Sequence, residues 1–261
     1  MNVTATLALL ELAAFANPKW FHYVSTTFMF GFVARQACGE LDCNAEMEGL
    51  NFGYSQSKWV AEQLVLEAMS RGLSATIYRP SLISASRTGR YAKGDLMARI
   101  FAYMIRHQLS IDALNQLSLL PVDVCANNIV SLSQLPLSEG RTFHLTADSY
   151  YTMQDACTAI SAVHGYPFEF IALEPFIEHM NAHCTRQDLL FPLMAFFNQN
   201  FRRILAMRDK RYDNHNYREA RACAAAAMPE PPLDTIVSGI VDFLQAEHLV
   251  PAPPVRSVSA I

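Results

Sequence analysis

The sequence predicts an α/β fold with a larger part at residues 1–135, a smaller α+β, helix-rich region at 136–251 and a disordered tail at 252–261. Three observations lead there. A β-rich run at 20–27, an amphipathic run at 54–71 and a short apolar run at 75–81 read as strand, helix and strand. The helix opens at Gly53-Tyr54-Ser55-Gln56-Ser57-Lys58 and stops at Arg71-Gly72, where Gly72 suits a left-handed C′ position. After residue 135 short strands and helices mix.

The elements follow in order. Asn2 to Ala13 has helical spacing, with Leu9, Leu12 and Ala13 on one face and Asn17-Pro18 as the stop. Trp20 to Thr27 is a strand ending in hydroxyl residues. Residues 28–50 read as a loop with an acidic rim that includes Glu40, Asp42, Glu46 and Glu48. Ala75 to Ser81 is a strand stopped by Pro80, followed by the polar loop Ser84 to Arg90, in which Arg87 and Arg90 read as exposed. Asp95 to His107 is a helix, and Asp123 suits the N-cap of another that ends near Leu135. Arg141 to Leu145 is a strand, Tyr151 to His164 a helix and Phe168 to Ile171 a strand. Residues 174–208 are helical and unusually apolar, and a last helix runs from about Thr235 to Glu247.

Composition sets bounds on function. Net charge is −4 with no long charge block, which gives no footprint for nucleic acid. No apolar run reaches membrane-spanning length, so no membrane partner is expected. The six cysteines are irregularly spaced and no signal peptide is evident, as expected of reduced thiols in a cytoplasmic protein. In His179-x-x-x-His183-Cys184 the two histidines have the i, i+4 spacing that could hold a metal, but no third ligand is evident and no metal is expected to bind. Arg202, Arg203, Arg208, Lys210 and Arg211 form a basic cluster, read first as a solvated face and second as a surface for an acidic carrier protein.

The chemistry lies in Tyr54 and Lys58. Residues four apart share a helix face. A phenol is a poor acid at neutral pH, and a neighbouring ammonium favours its phenolate. Such a tyrosine can give a proton to a carbonyl oxygen.

The motifs Phe21-His22-Tyr23-Val24-Ser25-Thr26, Gly53-Tyr54-Ser55-Gln56-Ser57-Lys58-Trp59-Val60-Ala61-Glu62, Arg79-Pro80-Ser81-Leu82-Ile83-Ser84 and Pro121-Val122-Asp123 carry a resemblance. Together they resemble the extended short-chain dehydrogenase/reductase superfamily, in particular the terminal thioester reductase domains of nonribosomal peptide and polyketide synthases and the carboxylic acid reductases. The resemblance runs from Asn2 to about Pro251 and is strongest before residue 135. It implies the C-terminal part of a Rossmann-type parallel sheet with a smaller substrate-binding region. It implies Thr26, Tyr54 and Lys58 as the catalytic triad, and these with Pro80 and Ile83 as cofactor contacts. Ser25 and Thr27 compete with Thr26 for the hydroxyl role. Along a strand, alternation would turn Thr26 away from both. The implied cofactor is NADPH. The implied substrate is an acyl or peptidyl thioester on a phosphopantetheine arm of a carrier protein, reduced to an aldehyde or onward to an alcohol.

One part of the pattern is missing. Neither G-x-G-x-x-G nor G-x-x-G-x-x-G occurs, and the ten glycines are scattered. Such a turn lets backbone amides and a helix N-terminus hold a pyrophosphate. The chain is therefore expected to lack the nucleotide-binding half and to work with an upstream or separate one. Two other readings stand beside this: another extended-family enzyme, such as a sugar-nucleotide epimerase or hydroxysteroid dehydrogenase, and a non-catalytic fragment or interaction module.

Overall fold

A computed structural model describes residues 1–15, 19–32, 37–43, 47, 50 and 52–254. The expected stop at Asn17-Pro18, the acidic Glu46 and Glu48 and the tail from residue 255 lie outside the described residues. In chain order the elements begin with α1 (Asn2–Ala14), β1 (Phe21–Val24), β2 (Ala37–Cys38), α2 (Gly53–Ser70), β3 (Ala75–Pro80) and β4 (Leu82–Ser84). Then come α3 (Leu96–His107), β5 (Leu109–Ile111), β6 (Leu119–Pro121), α4 (Val122–Ser133), β7 (Thr142–Leu145) and α5 (Met153–His164). The last are β8 (Glu169–Ile171), α6 (Leu173–His183), α7 (Met194–Ala206), β9 (Arg211–Tyr212), α8 (His215–Cys223) and α9 (Leu233–Ala246).

The chain forms two compact units that interleave. One takes Met1–Ser81, Val124–Asp148 and Lys210–Pro229, and the other takes Leu82–Asp123, Ser149–Asp209 and Glu230–Ile261. The chain thus passes between units several times, not once near residue 135.

The first unit is built on a parallel sheet in the order β1-β3-β7. Tyr23 lies beside Ile77, and Ile77 beside Thr142. Every residue of β3 is buried, as a central parallel strand requires. Leu10 of α1 and Ala61 and Val65 of α2 close a core over Tyr23, Ala75 and Ile77, so both helices lie on one face of the sheet. α2 ends as the sequence predicts, with Gly72 at φ +98° after Arg71. β2 lies in the stretch expected to be all loop, where it pairs in parallel with the distant β9, and a 3₁₀ turn fills Thr27–Phe30.

The second unit holds two parallel pairs, β4 with β6 and β5 with β8. α3, α5 and α9 bury Phe101, Met104, Ile160, Ile240 and Leu244 around them. Asp95 caps α3 by accepting from Met97 N, and Thr152 with Asp155 forms a capping box on α5.

Three expectations are corrected. Asp123 is not an N-cap: α4 starts one residue earlier, and the Asp123 carboxylate accepts from Arg87 Nε at 2.8 Å. Arg87 is exposed, as expected of this loop, and its guanidinium pairs with that carboxylate. Lys210 is not on a solvated basic face. It is buried, and its ammonium donates to Gly31 O at 2.9 Å. The apolar 174–208 stretch is two helices with a break between them, and among its phenylalanines Phe176 alone is fully buried.

Candidate active site

β1 ends at Val24, and the chain turns at once into the 3₁₀ turn. Thr26 sits at the junction as its N-cap, and its Oγ1 accepts from Phe28 N at 3.1 Å. The strand alternation expected for residues 25–27 therefore stops one residue short. What fixes Thr26 instead is the cap. A hydroxyl has one donor and two acceptor lone pairs. The cap uses an acceptor, so the Thr26 hydroxyl proton stays free to donate. Ser25 and Thr27 are also buried, and Ser25 Oγ has no hydrogen-bond partner among the described residues.

Tyr54 lies in the first turn of α2 and is 45% exposed, with its ring 6.5 Å from that of Phe28 and 6.4 Å from that of Phe52. Lys58 follows one turn later on the same face. Its ammonium does not bond the phenol. It donates to Val24 O at 2.8 Å and stands 4.8 Å above the Tyr23 ring. Burial holds the Lys58 pKa below the ordinary lysine value, against the opposing pull of Glu62. Trp59 packs beside Met29, Phe30 and Cys38 and so anchors the turn that carries Thr26.

One more turn along α2 comes Glu62, a residue that sequence reasoning passed over. Arg79 of β3 holds it by Nε at 3.1 and 3.2 Å to the two carboxylate oxygens. Both side chains are essentially solvent-free. The pair fixes the rotation and height of α2 over the sheet, and with them the face that presents Tyr54 and Lys58. An i, i+4, i+8 series of Tyr54, Lys58 and Glu62 is visible in the sequence. Its partner, seventeen residues on, is not.

Pro80 closes β3, fully buried, and Ile83 is a half-buried member of β4 in the second unit. His179 and His183 stack at 4.2 Å, with Tyr103 Oη 3.0 Å from His179 Nδ1. All six cysteines are free. Among the described residues no helix is long and apolar enough to cross a membrane.

A parallel sheet flanked by helices, with hydroxyl, phenol and ammonium at the carboxyl end of a strand, defines a class: the Rossmann-like reductases of the extended short-chain type. Residues 1–129 match the model of the male sterility protein family of NAD-binding domains, and the chain is homologous to the terminal reductase domains of peptide synthetases. It is 35% identical over 181 residues to a component of the linear gramicidin synthase of Brevibacillus parabrevis, covering 68% of this chain and 4% of that protein. It is 29% identical over 225 residues to the L-2-aminoadipate reductase of Saccharomyces cerevisiae, covering 76% of this chain and 16% of that one. Its fold superposes on the terminal R domain of the myxalamid PKS-NRPS pathway with a TM-score of 0.87 and 28% identity, over 97% of this chain and 64% of that one. The chain thus spans a small part of the curated relatives and under two thirds of that R domain.

Proposed function

We propose that this chain is the catalytic and substrate-binding part of an NADPH-dependent reductase of carrier-bound thioesters, acting on an acyl or peptidyl chain and releasing an aldehyde. The observation that carries the reading is Tyr54 and Lys58 on one face of α2, beside the Thr26 cap at the end of β1.

The residues present fit one end of a nicotinamide cofactor. Ser25 Oγ, buried and without a partner, and the free proton of Thr26 leave hydrogen-bonding capacity at the end of β1. The pyrophosphate end has no matching Gly-rich turn. When bound, the nicotinamide supplies the hydride. The chain's own residues supply the rest. Thr26 Oγ1 and Tyr54 Oη donate to the oxygen of the thioester carbonyl as charge builds there. Tyr54 gives that oxygen its proton, and the hemithioacetal then collapses to aldehyde and thiol. Lys58, released from Val24 O, would hold the ribose hydroxyls.

The test uses this chain joined to a nucleotide-binding part, with a carrier-bound acyl thioester as substrate. Tyr54→Phe and Lys58→Ala should each slow turnover at least about a hundredfold. Thr26→Val should lose a comparable amount, while Ser25→Ala and Thr27→Val lose less. Near-normal turnover in Tyr54→Phe would end the reductase reading.

A further inference from the structure

Alternation along β1 sends Phe21 and Tyr23 to the face of the sheet that α1 and α2 cover. Tyr23 is buried there among Leu10, Ala61 and Val65, and its register beside Ile77 fixes its place. The Lys58 ammonium stands over that ring, 4.8 Å from its centroid. A cation within about 6 Å of a ring face is drawn to the ring quadrupole, and more strongly where water is scarce.

The ammonium has few other supports. Of its three N–H donors one goes to Val24 O at 2.8 Å. Glu62, one turn further along α2, has both carboxylate oxygens on Arg79. Among the described residues no carboxylate forms an ion pair with Lys58. Burial lowers the Lys58 pKa, and the Glu62 charge opposes that from a distance. At contact range the charge therefore rests on one carbonyl and one ring.

The two supports differ in kind. The bond to Val24 O is directional and weakens steeply as the donor swings away. The pull of a ring face does not depend on one donor direction. A lysine that gives up Val24 O for another acceptor nearby still has the ring beneath it. An aliphatic side chain at the same position would fill the core and offer the cation nothing. Burial first, and then the Glu62 charge, push the Tyr23 phenol up to about 12. At neutral pH it is thus the uncharged ring that faces the ammonium.

We propose that Tyr23 is a positioning residue for Lys58: its ring face seats the ammonium at the end of β1, one helical turn from Tyr54, and keeps it there when Val24 O is given up. The inference deepens the proposed function and rests on it only for what Lys58 does at that place. Tyr23 touches no reacting atom and acts through Lys58.

The Lys58 ammonium reports the seat directly. In the 261-residue protein its pKa can be followed by NMR at Nζ and Cε, with Lys58→Met identifying the signal. The ring favours the cation, so losing the ring lowers the pKa. Tyr23→Leu should lower it by at least about half a unit, a factor of about three in proton affinity. Tyr23→Phe keeps the ring and should stay within about 0.2 unit of the parent. An unchanged or raised pKa in Tyr23→Leu, or an equal fall in both variants, would overturn the proposal. Should Tyr23→Leu not fold, Tyr23→Phe made with trifluorophenylalanine in place of phenylalanine keeps the shape and weakens the ring face. It should titrate below plain Tyr23→Phe, and no difference between the two would refute the seat. With the chain joined to a nucleotide-binding part and given a carrier-bound acyl thioester, Tyr23→Leu should turn over at least about threefold more slowly than the parent. Tyr23→Phe should recover most of that loss, and equal turnover in the two variants would overturn the positioning role. A joined enzyme that reduces no thioester, while the Lys58 pKa moves as expected, would leave the seat standing and end the functional reading instead.

Discussion

Arg79 carries its charge where almost no water reaches it, and every nitrogen of its guanidinium is engaged. Nε and Nη2 take Glu62, while Nη1 takes Glu40 O, Asp42 O at 2.9 Å and His144 Nε2 at 3.2 Å. Removing one member of such a pair strands the other charge, which costs about 3–5 kcal/mol. We expect Arg79→Met to lower stability by that order in denaturant titration, and Glu62→Leu with Arg79→Met to recover most of it. A double variant as unstable as the single one would show that packing, not charge, sets the loss. His144 accepts from Arg79, so its proton sits on Nδ1 and is donated to Asp213 O at 2.7 Å. Burial first, and then the Arg79 charge, push its pKa down to about 3. The sign follows: the folded state disfavours the imidazolium, so stability is full above the unfolded pKa of about 6.5 and falls as pH drops from there toward 3. The slope is at most about 1.4 kcal/mol per pH unit for this one proton. Thermal unfolding between pH 7.5 and 4.5 should show the decline, and His144→Gln should flatten it.

At the scale of elements, caps and close approaches decide where helices sit. Asn214 precedes α8 without a side-chain cap, and the carboxylate of Glu40 takes its place, accepting from Tyr217 N at 3.0 Å, from Asn216 N and from His144 N at 2.9 Å. One buried carboxylate so joins the stretch after β2, the end of β7 and the start of α8. α9 approaches the 85–86 stretch so closely that a methyl group on Gly239 would run into Ser86 O. Gly239→Ala removes no contact and raises helix propensity, yet we expect it to destabilise by about 1–3 kcal/mol through overpacking. A neutral or higher melting temperature would show that α9 can shift. These same features mark what was legible beforehand. α1, α2, α3, α5 and α9 announce themselves by period and stop signals, because both act within a few residues. Asp123 looked like a cap because its type suits one, but its partner Arg87 sits thirty-six positions away. Lys210 and Glu40 read as surface charges for the same reason: burial of a charge depends on partners that sequence spacing does not reveal. Of the candidate site, Tyr54 and Lys58 share a face as their spacing required. The Thr26 cap and the Lys58 bond to Val24 O depend on where β1 stops, which a pattern fixes only to within a residue or two.

For the whole molecule, the question is what this chain can bind unaided. Dinucleotide affinity in an open α/β sheet comes largely from the pyrophosphate, held by backbone amides of a tight glycine turn at a helix N-terminus. Among the described residues no strand-to-helix passage has that turn. α2 opens with the single Gly53, and α4 follows Pro121 directly. On the proposed reading, what remains is the ribose and carboxamide end; there Thr26 has a donor free and Lys58 is already engaged on Val24 O. Binding must break that bond, which further weakens the net gain. We expect isothermal titration of the 261-residue protein with NADPH to give affinity no tighter than about the millimolar range, some 4 kcal/mol of binding free energy. Lys58→Met should leave that weak affinity within about threefold of the parent, because the ammonium gives up one hydrogen bond to make another. Low-micromolar binding by the unmodified chain would mean that it holds the pyrophosphate by other groups, and the reading of it as the partner of a separate nucleotide-binding part would fall.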